Sequence, residues 1–243
     1  MRFAWVVSSL LLGSLPVVTA AAEAQANASE PRGIDGVDVS HFSGAVDWER
    51  VAAAGYEFAY VKATEGVDSL DPLFAQHWSA LESSGLRRGA YHFYVTEDDP
   101  EEQARFFLDT VAHGPGDLLP AVDVEVVGHG TRPDWPTDLL RFLDLVEAEL
   151  GARPIVYTGP KFWRIHLESH SAAADIARSF LWLAEYGVDA PQVPSAWPTW
   201  QLWQWRGNAA VDGVEKDVDL SRLNDSLDGL DALVIPSAEV AEP

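Results

Sequence analysis

The chain has 243 residues, 47% of them apolar, and 38 acids against 16 Lys and Arg give a formal charge of −22. So acidic a chain repels polyphosphate, which argues against nucleic acid as a partner. The absence of Cys excludes disulfides, thiolate metal sites and a Cys nucleophile. The 10 Trp, 10 Phe and 6 Tyr supply core material that a disordered chain lacks.

Arg2 followed by the apolar run Phe3 to Val18, with small residues at Ala20 and Ala22, reads as a secretory signal over 1–22. Residues 23–32 read as a flexible leader, 33–235 as one domain and 236–243 as a tail. The protein is expected to be exported, to the periplasm or the medium, and to hold no membrane span once the signal is cut.

From residue 34 onwards short β-like runs alternate with helical stretches. Val37 to Val39 ends a first strand. Asp47 to Ala54 is helical, with Asp47 as its cap and Gly55 as its stop. Glu57 to Thr64 is a second strand, Pro72 to Ser84 a helix, and Arg88 to Val95 a third strand. Pro100 to Ala112 is a helix that opens on Glu101 and Glu102, as the helix dipole favours. Leu118 to Glu125 is a fourth strand, Thr137 to Leu150 an amphipathic helix, Pro154 to Thr158 a fifth strand, and Lys161 to Ser169 a short helix. Phe180 to Tyr186, Trp200 to Trp205 and Asp217 to Leu220 are the last three strands, and a helix from Asp225 to Val234 closes the chain. Eight strands with helical crossovers predict an α/β fold, a modified TIM-like β/α barrel of parallel strands. It is irregular after the fifth or sixth strand, because Gly187 to Thr199 is rich in Pro and has no helical period.

Polar and aromatic residues recur at the expected strand tips: Asp38, Glu65, Tyr91, Phe93, Asp123, Glu125, Tyr157, Glu185, Gln204, Trp205 and Asp219. In a β/α barrel such tips gather around one mouth, where these folds place their sites. Along the fourth strand Ala121, Asp123 and Glu125 share one face, and Val122 and Val124 the other. Two acids on one buried face repel, so one pKa should rise, and a carboxyl kept protonated near neutrality is what protonation of a glycosidic oxygen requires. The competing reading puts Asp123 on a backbone donor and Glu125 in a surface ion pair. Asp38 and Asp219, from the first and last strands, would lie beside the pair. Tyr91, Phe93, Tyr157, Trp182, Tyr186, Trp203 and Trp205 offer flat faces for the C–H faces of sugars. By parity Trp203 and Trp205 should point one way and Gln204 the other. His166 and His170 stand one turn apart, but the acid between them is misplaced for a zinc-protease helix and no third ligand is evident. No nucleophile elbow and no Gly-rich phosphate loop is present. No metal or other cofactor is expected.

An ordered set of motifs carries a resemblance. Gly36-Val37-Asp38-Val39-Ser40-His41-Phe42-Ser43-Gly44 is followed by Phe58 to Gly66 (FAYVKATEG) and Arg88-Gly89-Ala90-Tyr91-His92-Phe93. Then come Asp123-Val124-Glu125, Leu181 to Tyr186 (LWLAEY), Trp203-Gln204-Trp205 and Asp217-Val218-Asp219. The set resembles glycoside hydrolase family 25, the Chalaropsis-type lysozymes, in order from about residue 34 to 224. The resemblance implies a modified barrel that cleaves the β-1,4 bond between N-acetylmuramic acid and N-acetylglucosamine in peptidoglycan. It implies that Glu125 is the proton donor, with Asp123, Asp38 and Asp219 as the other catalytic acids and Tyr91 as a sugar-binding residue. Phe42 and the pair Glu185-Tyr186 depart from the family's common residues. Asp123 would either assist the substrate's N-acetyl group as internal nucleophile or position water. A peptidoglycan-binding module without catalysis, or a barrel hydrolase of chitin-like chains, is the alternative function. Peptidoglycan glycan strands are the expected partner, and a monomer the expected state.

Overall fold

A computed structural model describes residues 33–237. The expected signal, the leader and the tail beyond 237 lie outside the described residues. Among these residues, no helix is long and apolar enough to cross a membrane.

Nine strands of the described residues form one sheet: β1 (Asp35–Val39), β2 (Phe58–Glu65), β3 (Ser69–Leu70), β4 (Arg87–Phe93), β5 (Ala121–Asp123), β6 (Ile155–Thr158), β7 (Leu181–Ala184), β8 (Leu202–Ala209) and β9 (Val218–Leu223). β3 only extends the edge of β2, and pairing of β1 with β2 closes the other eight into a barrel. From β1 to β8 the barrel neighbours are parallel. β9 runs antiparallel to both β8 and β1, where the sequence suggested a parallel eighth strand. The physical reason is the connection. Residues 210–217 hold no helix, and a short link without a crossover can only return the chain in the opposite sense.

Among the described residues six helices flank the strands: α1 (Trp48–Ala53), α2 (Phe74–Leu81), α3 (Pro100–Thr110), α4 (Trp135–Leu150), α5 (Pro160–His166) and α6 (Ala173–Ile176). Asp47 caps α1 by accepting Arg50 N–H at 3.1 Å, and Asp99 caps α3 through Glu101 and Glu102 N–H. α4 ends where Gly151 turns left-handed at φ 65°. No helix lies between β7 and β8, in keeping with the Pro-rich composition there.

The last expected helix is absent. Only a 3-10 turn, Leu230–Leu233, forms. Its backbone is engaged elsewhere: Leu119 N–H donates to Leu233 O at 2.7 Å and Ile235 N–H to Asp117 O at 2.8 Å. Leu230, Leu233 and Ile235 thereby plug the base of the barrel. The same pairing, with Pro120, shortens the expected fourth strand to Ala121–Asp123.

Side-chain parity divides the core. Phe58, Tyr60, Ala121, Ile155, Tyr157, Trp182 and Leu202 fill the lumen. Val122, Val124, Val156, Leu181 and Leu183 face the helices. Room for the rings comes from two glycines. A Cβ on Gly36 would lie 2.4 Å from the Phe58 ring, and one on Gly89 2.3 Å from Tyr60. Tyr60 is anchored in that place by its hydroxyl, which donates to Leu119 O at 3.0 Å.

Gly89→Ala is therefore expected to destabilise the barrel by about 1–3 kcal/mol through overpacking against Tyr60. A lower urea midpoint with an unchanged slope is the outcome to look for.

Candidate active site

The lumen is closed from below by rings and opens above into a pit of about 580 Å³. Asp38, Tyr91, Phe93, Asp123, Glu125, Tyr157, Gln204 and Asp219, all read from strand tips in the sequence, line it. Asp38 and Asp219 are direct cross-strand partners in the β1–β9 register. Asp219 comes from the start of its strand rather than the end, and the antiparallel sense of β9 brings that start to the same mouth.

Each acid has a different setting. Asp38 is held on both oxygens: Gln204 Nε2 donates to Oδ1 at 2.7 Å and Ser221 Oγ to Oδ2 at 3.3 Å. Behind Gln204 stand Tyr157, whose hydroxyl donates to Oε1 at 2.9 Å, and Tyr186, which donates to the same oxygen. Two phenols on its oxygen fix the amide, so that its NH₂ must face Asp38. Trp182 Nε1 in turn donates to Ser221 Oγ at 2.9 Å. Burial, and then the neighbouring Asp219, push the Asp38 carboxyl from 3.8 up to about 8, against the lowering effect of the two hydrogen bonds.

Asp123 is 9% exposed, and its Oδ1 is buried without a hydrogen-bond partner. Burial, and then Glu125, hold its pKa well above the ordinary carboxylate range, while Lys62 opposes the shift. Glu125 follows the end of β5 and stands exposed at the rim. Partial desolvation and Asp219 raise its pKa, and Lys62 lowers it. Asp219 is raised by burial and eased by Asn208 N–H, which donates to Oδ1 at 3.1 Å. A bulge in β8 aims that N–H, with Asn208 in the left-handed region at φ 55°, a conformation Asn tolerates.

Three expected residues sit elsewhere. Glu65 pairs with Lys62 at 2.6 Å and is not among the residues lining the pit. Glu185 accepts Gln192 N–H at 2.6 Å in the loop after β7. Trp205 faces the outer layer, with the Arg222 guanidinium 5.2 Å from its ring; parity with Trp203 holds, and Gln204 alone of the three enters the pit. His170 Nε2 meets Asp134 at 3.0 Å, and among the described residues no His, Asp and Glu grouping is set out to hold a metal.

Four lining residues were not in the expected set or, like Trp182, stood there only as a sugar-facing ring: Ser40, Phe42, Lys62 and Trp182. Lys62 was accessible to parity, since it shares a face with Phe58 and Tyr60. Ser221 was too, as the residue two along from Asp219. Lys62 brings a cation to a cluster of four acids, with its ammonium 4.8 Å from the Phe93 ring centre.

Residues 37–214 match the family model described as glycosyl hydrolases family 25. The chain belongs to that family. Within it, the chain is 34% identical to Lysozyme M1 of Streptomyces globisporus, over 84% of this chain and 72% of that protein. It is 28% identical to the N,O-diacetylmuramidase of Chalaropsis sp, over 82% of this chain and 98% of that one. Among solved structures, the bacterial lysozyme from Streptomyces coelicolor superposes with a TM-score of 0.74 at 32% identity, over 79% of this chain and 93% of that one. This family 25 member is a glycoside hydrolase of the lysozyme type, and its acids occupy the mouth of the family's barrel.

A carboxyl whose pKa is raised on folding binds its proton more tightly in the native chain than in the unfolded one. Its stabilising effect is full below the unfolded value and is lost as pH rises toward the folded one. Removing the charge at Asp38 should therefore matter only at the upper end. Asp38→Asn is expected to stabilise the fold at pH 8 and to leave stability near wild type at pH 4. Calorimetric Tm at the two pH values is the measurement, and equal shifts at both would contradict the assignment.

Proposed function

We propose that the protein is an N-acetylmuramidase that hydrolyses the β-1,4 bond between N-acetylmuramic acid and N-acetylglucosamine in peptidoglycan, with Glu125 as general acid and base. The observation that carries this reading is the convergence of four carboxyls from β1, the β5 tip and β9 on one pit, with only Glu125 exposed at the rim. The names of the relatives, a lysozyme and an N,O-diacetylmuramidase, point to the same bond.

In this mechanism the glycan lies across the mouth. Glu125, whose hold on its proton is strengthened by partial desolvation and by Asp219, gives that proton to the glycosidic oxygen as the C1–O bond breaks. Asp123 Oδ1 is buried and unpartnered, which leaves it to receive a donor from the sugar. The acetamido N–H of the muramyl residue is such a donor. Its polarisation turns the acetamido oxygen onto C1, so the departing electron pair is replaced from within the substrate. Water then attacks C1, the Glu125 carboxylate takes the water's proton, and the acetamido group is restored. Asp219 places charge beside the developing cation at C1, and Asp38, its pKa pushed up to about 8, stands next to it as its protonated cross-strand partner. Phe93, Tyr91 and Tyr157 border the sugar, and Trp182 underlies it.

Export to the periplasm or the medium belongs to this reading, because the glycan lies outside the cytoplasm. A chain at −22 gains nothing by attraction to an anionic wall, so recognition rests on the pit itself.

Glu125→Gln should lower kcat by at least about 10³-fold while the fold and glycan binding persist. Turbidity clearing and reducing-end release from purified peptidoglycan read the loss, and circular dichroism and pull-down on sacculi read what remains. In the wild-type digest, mass spectrometry should find muramic acid at the new reducing ends. Glucosamine there would assign the protein to the other bond.

A further inference from the structure

Glu125 has an awkward place for a group that must meet a glycosidic oxygen within a few tenths of an ångström. β5 ends at Asp123, and residues 124–133 carry no helix or strand. The sheet therefore does not fix the glutamate. Catalysis that depends on proton transfer is sensitive to such placement, and a misplacement of 1 Å costs about 10²-fold.

Two buried hydroxyls grip the segment on either side of it. On the N-terminal side Thr158, 0% exposed, donates from Oγ1 to Val124 O at 2.9 Å. That carbonyl belongs to the peptide group joining Val124 to Glu125. Val124 N–H donates to Tyr157 O at 2.9 Å, so both faces of the residue before the glutamate are taken. On the C-terminal side Thr96, 1% exposed, accepts Gly128 N–H on Oγ1 at 3.2 Å. Its Oγ1 also lies 2.9 Å from that of Thr131, whose own proton goes to Gly128 O at 2.6 Å. Thr96 O accepts Arg132 N–H at 3.0 Å. Gly128 is thus held at both its N–H and its carbonyl, three residues past Glu125. Thr96 rests on a fixed support, since Gln103, fully buried, accepts Val95 N–H at 2.9 Å and donates to Val95 O at 3.0 Å.

We infer that Thr158 and Thr96 are positioning residues that hold Glu125 at the rim, one gripping the peptide before it and the other the loop after it. The inference rests on the reading of Glu125 as the proton donor. Neither threonine is among the residues that line the pit, so each acts through the backbone that carries the glutamate. The side chain between the grips is left free to face substrate, with Asp219 and Lys62 as the charges beside it.

The test uses Thr158→Val and Thr96→Val in the full chain, which keep the shape and delete the hydroxyl, each beside its Thr→Ser counterpart. Soluble peptidoglycan fragments and reducing-end release provide kcat and KM across pH. The Val variants should lose on the order of tenfold to hundredfold in kcat with KM unchanged. The alkaline limb of the rate profile, which reports the acid's pKa, should move to lower pH as Glu125 escapes into solvent. The Ser variants should recover both. A folded Val variant with wild-type kcat and an unmoved limb would overturn the inference. So would a variant that loses Tm and kcat together while its limb stays put, because that marks a merely structural role. If neither Val variant folds, Thr131→Ala decides by the same readouts, as Thr131 is half-buried in the loop. Activity retained by Glu125→Gln would instead remove the donor assignment itself and leave the hydroxyls unjudged, so the two failures are distinct.

Discussion

The site depends on one pairing, Asp38 of β1 opposite Asp219 of β9. β9 enters the barrel between β8 and β1 against the sense of both, and the sheet closes only because it does. The pairing places two half-buried carboxyls side by side at the mouth of the lumen. Their repulsion is not relieved by a local cation but spread through hydrogen bonds: Gln204 and Ser221 on one acid, Asn208 N–H on the other. A buried acid so arranged keeps its proton, and the neighbouring acids feel less charge as a result.

Protonation thus follows depth. The two most enclosed carboxyls, Asp38 and Asp123, have the strongest cause to stay neutral; Glu125, at the rim, is raised but remains in touch with solvent. A general acid and base needs that position, since it must gain and lose a proton in each turnover. Lys62 counters the shift at both Asp123 and Glu125.

Much of the barrel was readable in the order of apolar runs, because strand and helix periods differ and Gly and Pro mark their ends. Parity along one strand was enough to put Ala121 and Asp123 toward the lumen and Val122 and Val124 toward the helices. The sense of β9 was not readable, since strand direction is decided by the length of the link before it and not by the strand's own residues. Nor was the missing last helix, where the backbone of Leu233 and Ile235 is claimed by residues 117–119, far away in sequence. Trp205 shows the limit of reading tips alone: proximity to the mouth says nothing of which face a side chain takes. Thr96 and Thr158 gave no signal at all, for a lone threonine in a loop or strand looks like any other until its partners are known.

The plug at the base has a further consequence for how the molecule can be mounted. β1 starts at the base, where Leu223 N–H meets Ile34 O, and the segment Leu230 to Ile235 finishes there too. Both ends of the described chain therefore depart from the pole opposite the acids. A fused partner, a bead or a lipid attached through either end would leave the mouth turned outward, free to sweep a surface lying in front of it.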